Sequence, residues 1–137
     1  MTVVGHSVVQ IGLEFAGSVA GAWIGATVSF YVLFCILWAI ALEPGFDACG
    51  HGAVFFGVPA GSAIGIYLVE GIILKCRELS SRRIIIAFAV CDVAIVLSRL
   101  FPDVVANTFG GHIGLTAIAA CSSVLGYNLG GRWNNRE

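Results

Sequence analysis

Four long apolar stretches separated by short polar breaks organise the chain. Phe15 to Leu42 is uncharged over 28 residues, and Gly52 to Leu74 is broken only by Glu70. Ile84 to Leu100 is interrupted by Asp92 and Arg99, while Val104 to about Gly130 carries no formal charge but holds Asn107, His112 and Asn128. A hydrocarbon core about 30 Å thick is crossed by roughly 20 helical residues, so each stretch is a candidate span, the third being the shortest. Runs such as Val28 to Leu42 do not alternate, which excludes the strands of a membrane barrel. The pattern predicts an all-α polytopic membrane protein, a four-transmembrane-helix bundle in a single integral domain, residues 1–137. Its spans are expected at about 15–42, 52–74, 84–100 and 104–130, joined by an outer loop at 43–51 and a cytoplasmic loop at 75–83.

Upstream of the first span, His6, Gln10, Glu14 and Ser18 recur every four residues, with Val4, Val8, Ile11 and Phe15 on another side. This periodicity predicts a short amphipathic N-terminal segment, either anchored in the inner interface or continuing the first span. The interfacial anchor is the more ordinary reading, ahead of a polar pathway along that stripe. No basic region precedes the first apolar stretch, which is also too long for a signal sequence, so it reads as a retained span.

Charge decides the expected orientation. Six of the seven basic residues (Lys75, Arg77, Arg82, Arg83, Arg132, Arg136) fall in the 75–83 loop or after the last span, and Arg99 lies on the other side. The positive-inside bias then puts both termini in the cytoplasm, with Trp38 in the outer interfacial belt and Tyr127 and Trp133 in the inner one. Only 11% of residues are charged, against about 25% in soluble domains, which argues against a soluble enzyme or a nucleic-acid binder. The expected partners are the lipid bilayer and a homo-oligomer or larger membrane complex.

Among Cys35, Cys49, Cys76, Cys91 and Cys121, only Cys49 is expected to face outward, so no disulfide framework forms within one chain, although Cys49 offers a link between copies. Cys49 and His51 beside Glu43 and Asp47 read as an ordinary polar turn more readily than as a metal site. His6, His51 and His112 sit at three depths, unlike the paired histidines of a haem. No catalytic motif is present, so neither enzyme nor cofactor is expected.

Glycine spacing is the strongest non-random feature. Gly17, Gly21 and Gly25 form one four-residue ladder, Gly57, Gly61 and Gly65 a second, and Gly110–Gly114 and Gly126–Gly130 two further pairs. Six glycines have another four positions on, where random placement gives roughly two or three; such ladders make a groove into which a second backbone fits. A hairpin centred near Asp47 would set Gly61 level with Leu33, so the second ladder is expected to face the bulky half of span one. Ala63 would lie on the far side of that groove. The second ladder and the Gly110–Gly114 pair begin at similar depths and are expected to allow close packing of spans two and four.

The ionisable residues inside the spans supply the candidate chemistry. Glu70 is close to the inner end and is expected to pair with Arg82 or Arg83. Asp92 lies near mid-membrane, where a lone carboxylate is costly. Arg99 has Asp103 and Glu43 as expected outer partners. Asp92 and His112 are equidistant from Pro102, which makes them a candidate proton or ion site along with Glu70. Two functions follow as expectations: a small packing or assembly subunit joined through its glycine faces, or a small proton- or ion-coupled transporter or channel using Asp92 and His112.

Overall fold

The computed structural model describes residues 2–40, 46–73, 81–101 and 112–134, and the side chains of 8–40, 48–73, 81–101 and 113–130. The described chain is helical: α1 (Thr2–Ala39), α2 (Phe46–Gly52), a π-helical turn (Ala53–Gly57), α3 (Val58–Leu68), a second π-helical turn (Val69–Ile73), α4 (Ser81–Leu100) and α5 (His112–Asn134). Three stretches are long and apolar enough to cross a membrane: Val8–Ala39, Ala48–Ile73 and Ile113–Gly130. Without water, a backbone must bond to itself, which is why such apolar runs wind into helices. Helix α4 carries Arg82, Arg83, Asp92 and Arg99 and lies along α5.

The amphipathic N-terminal segment is part of α1, which runs unbroken from Thr2. The expected outer loop is also shorter than 43–51, because Phe46–Gly52 is helical and leads straight into the arm that contains α3. Pro59 has no N–H to give. In the preceding π turn the chain bonds one residue further back, from Val58 N–H to Ala53 O.

Helices α1 and α3 run antiparallel with their glycines face to face. A Cβ at Gly17 would fall 2.5 Å from Val69 Cγ2 and 2.8 Å from Gly65 O. One at Gly21 would overlap the carbonyl of Gly61, one at Gly25 that of Gly57, and the reverse holds from the α3 side. The pairing of Gly17 with Gly65, Gly21 with Gly61 and Gly25 with Gly57 is symmetric about residue 41, not Asp47. The second ladder therefore faces the first and not the bulky half of the span. The reason is local: helix from Phe46 onward shortens the connection and draws the turn towards α1.

Helices α4 and α5 form a second antiparallel pair. A Cβ at Gly126 would stand 3.0 Å from Ala87 Cα and Val90 Cβ, and one at Gly130 3.1 Å from Ile86 Cδ1. The first pair packs on the second through α3, whose Ala63 and Ile66 lie wholly buried with Ala87, Val124 and Tyr127. Ala63, on the side of α3 away from the glycine groove, is thus part of the core. Nearer the other end, Ala22, Val58, Cys91, Ile95 and Ala119 form a second apolar cluster. Gly114 is buried, while Gly110 lies outside the described residues.

Two further expectations change. Cys49 is fully buried, so it does not present a thiol for linking copies; Cys35 and Cys121 are the exposed ones, and Cys76 lies outside the described residues. Trp38 is 74% exposed, as an interfacial aromatic would be, but Tyr127 is fully buried. The side chain of Trp133 is not among those described.

Candidate functional site

The helix pairs bring one polar cluster together, at the end of the bundle where α1 begins and α5 finishes. Glu14 is fully buried and Glu70 is 2% exposed, although 56 residues separate them in the chain. Gln10 Nε2 donates to Glu14 Oε1 at 3.0 Å and reaches Glu70 Oε1 at 3.5 Å, so one amide bridges both carboxyls. Asn128 Nδ2 donates to Glu14 Oε2 at 2.8 Å, and Tyr127 OH donates to Glu70 Oε2 at 2.8 Å. Arg83 Nη1 stands 3.9 Å from Glu70 Oε2, with its guanidinium 5.7 Å from the Tyr127 ring centroid. Every long arm of the chain contributes a side chain.

Local structure explains the convergence. On α1, Gln10, Glu14 and Ser18 follow the four-residue repeat that also carries Gly17, Gly21 and Gly25, so stripe and ladder share one face. Docking that face on α3 buries the polar stripe and leaves Val8, Val9, Ile11 and Phe15 exposed. The stripe looks into the protein and the apolar side looks out, the reverse of an interfacial anchor. Glu70 sits in the second π turn, where Val69 N–H contacts both Gly65 O and Ile66 O. Such turns often occur at functional sites because the extra residue redirects a side chain. Tyr127 is drawn inward because its buried hydroxyl needs an acceptor, which Glu70 supplies.

The charge balance is uneven. Among the described residues, Glu70 has a guanidinium nearby and Glu14 has two neutral amides. A buried carboxylate without a countercharge is expensive, so two acids and one arginine leave room for one more positive charge. Beyond the acids, Ser62 Oγ donates to Ser18 O at 3.3 Å, while the buried hydroxyls of Ser18 and Ser123 have no partner among the described residues. The polar layer then ends at the Ala22, Val58, Cys91, Ile95 and Ala119 cluster.

Of the residues singled out by sequence, Glu70 belongs to this site. Asp92 is half-buried on α4 and makes no hydrogen bond or ion pair among the described residues. Contacts of Cys91 with Ala119 and of Ala87 with Gly126 set the α4–α5 register. That register places Asp92 beside residues 118–121 and the backbone of His112 beside 98–101, roughly 10 Å apart along the bundle. The pairing symmetric about Pro102 is therefore displaced by several residues; the side chain of His112 lies outside those described. Arg99 places its guanidinium 6.0 Å from the Phe55 ring centroid, and its expected partners Asp103 and Glu43 lie outside the described residues.

Asn128 and Tyr127 are not candidates from sequence, and Gln10 and Glu14 enter only as part of the polar stripe, read as an anchor ahead of a pathway. The available signal was the stripe from Gln10 to Ser18 running in register with the first glycine ladder, since whatever packs on the ladder must also cover the stripe. Comparison with protein-family models, with curated proteins and with solved structures finds no match.

Proposed function

We propose that this chain is a four-span integral membrane protein that binds one proton at the Glu14–Glu70 pair and uses it in proton-coupled transport. The single observation that carries this reading is a pair of buried carboxyls bridged by Gln10, with Arg83 the one countercharge among the described residues. One proton on the pair brings the cluster to neutrality, and buried ionisable groups of this kind mark ion and proton pathways in membrane proteins. The two acids then titrate as a unit and not as separate residues. Helix α4 supplies the remaining span, its Arg82 and Arg83 at one interface and Arg99 at the other. With six of seven bases near the end that holds the acids, the pair lies on the cytoplasmic side, both termini included. The apolar cluster beyond the serines supports access from that side alone in this conformation.

Infrared titration of the purified protein tests the reading. The wild type should show a protonated-carboxyl band that titrates with pH and is lost in both Glu14→Gln and Glu70→Gln, while Asp92→Asn keeps it. A band that survives both glutamate substitutions would overturn the site.

The assembly reading retains one observation of its own. Val28, Tyr31, Val32, Ile36 and Trp38 form an exposed apolar side of α1, whereas the ladder glycines lie against each other inside the chain. If copies associate, this side of α1 is the surface they use. A single-chain mass for the purified protein would count against association.

A further inference from the structure

We infer that the groove between α1 and α5 binds a hydrophobic organic ammonium ion in exchange for the proton on the carboxyl pair; this rests on the proton-binding reading above and names its substrate class. The groove holds about 390 Å³ and is lined by Ile11, Phe15, Cys121, Val124, Leu125 and Asn128. That volume is in the range of small-molecule sites, which pair apolar walls with a few placed polar groups.

Three observations converge on a cation with an apolar body. First, the only carboxamide in the wall, Asn128, donates to Glu14 Oε2 at 2.8 Å, so the polar end of the groove abuts the carboxyl that has no countercharge among the described residues. Second, Ser18 Oγ is wholly buried and has no partner among the described residues. At about 100° per residue, Ser18 falls between Glu14 and the groove-lining Ile11 and Phe15 around α1. A hydroxyl with free lone pairs beside a carboxylate accepts from an ammonium N–H; an anion or a neutral apolar molecule has no use for that combination. Third, the remaining wall is aliphatic and aromatic apart from the Cys121 thiol, which suits an apolar body and offers too few oxygens for an inorganic cation stripped of water. Phe15 and Leu125 are 39% and 57% exposed, so in a bilayer the groove opens sideways to acyl chains, where an amphiphilic amine concentrates.

The exchange balances. The carboxyl O–H gives its proton to water at the cytoplasmic end, Asn128 swings off Glu14, and the ammonium supplies the positive charge that leaves with the proton. Neither species occupies the pair while the other does, which is the requirement for coupling.

The test uses 2-(1-naphthyl)ethylammonium as probe and 2-(1-naphthyl)ethanol as its neutral counterpart, with purified protein in weakly buffered detergent. The wild type should bind the ammonium saturably and release about one proton per chain, as competition for one site requires. Binding should weaken about tenfold or more in Glu14→Gln and in Leu125→Trp, the second filling the groove while leaving both acids in place. Ser18→Ala should weaken it a few-fold and Asp92→Asn not at all. Equal binding of the alcohol, undiminished binding in Leu125→Trp, or binding without proton release would each overturn the proposal. If the ammonium fails to bind while the titrating carboxyl band persists, only this inference falls; loss of the band as well removes the proton site beneath it.

Discussion

The two antiparallel helix pairs solve the same packing problem with different tolerances. Between α1 and α3 glycine meets glycine, so backbone lies on backbone at three successive turns. Between α4 and α5 the glycines are on α5 alone, and Gly126 and Gly130 meet Ala87, Val90, Ile86 and Arg83. In lipid there is little hydrophobic drive between helices, and close van der Waals approach has to do more of the work. The first pair gains that approach from both sides and keeps no slack. In the second the nearest atoms, backbone and side chain alike, stand at 3.0–3.1 Å, so the neighbours need give only a few tenths of an ångström. The difference also places the chemistry: the face that has no room for a methyl group is the one that carries Gln10 and Glu14 onto Glu70.

The largest effect expected from breaking this comparison is at Gly21. A methyl there would overlap the Gly61 carbonyl and stand 3.0 Å from Gly65 Cα, and a backbone cannot rotate aside. Gly21→Ala should cost about 3 kcal/mol, at the upper end for overpacking, and Gly61→Leu more. Gly126→Ala, whose nearest neighbours lie at 3.0–3.1 Å, should cost about 1 kcal/mol. Unfolding curves in mixed detergent measure both, and equal losses at the two positions would show that the pairs share one tolerance.

The sequence carried more of the fold than of the site, for a physical reason. Helices and glycine ladders are periodic, and periodicity survives in one dimension. Register does not. Treating Glu43 to His51 as a symmetric loop centres the pairing at Asp47, whereas with Phe46–Gly52 wound into helix the facing glycines pair about position 41. A shift of six residues at the turn displaces one arm against the other by twelve, which separates facing ladders from staggered ones. The α4–α5 register changed the same way, and with it the relation of Asp92 to His112. Glu70 was legible because a charge inside an apolar run is conspicuous. Glu14 was not, because a polar stripe at the start of a span looks the same whether it meets lipid headgroups or another helix. Only its alignment with Gly17, Gly21 and Gly25 separated the two.

Tyr127 joins the two helix pairs at the polar end, and its substitution sharpens the comparison at their junction. Its hydroxyl donates to Glu70 Oε2 at 2.8 Å in a buried setting. Tyr127→Phe keeps the ring under Arg83 and removes only that bond, so the loss should be about 2 kcal/mol, as for a hydrogen bond to a charged group. The carboxyl titration of the pair should shift in the same variant, because Glu70 has lost a donor. A stability loss with an unmoved titration would make Tyr127 a packing residue and nothing more.

The smallest effect is expected at a side-chain-to-backbone hydrogen bond that crosses the tight pair. Ser62 Oγ donates to Ser18 O at 3.3 Å, and both residues are fully buried. Ser18 O lies within α1, whose own ladder supplies a donor four residues on, so losing the serine does not leave that carbonyl bare. Measured bonds of this kind between membrane helices average about 0.6 kcal/mol, and Ser62→Ala should cost no more. Alanine also fits without strain, being smaller than serine and a good helix former. The ratio of this loss to that of Gly21→Ala tells what holds α1 to α3. If closeness of backbones dominates, the glycine substitution should cost about five times as much in the same detergent. If Ser62→Ala proves the costlier, the polar link holds the pair together and the glycines only make room for it.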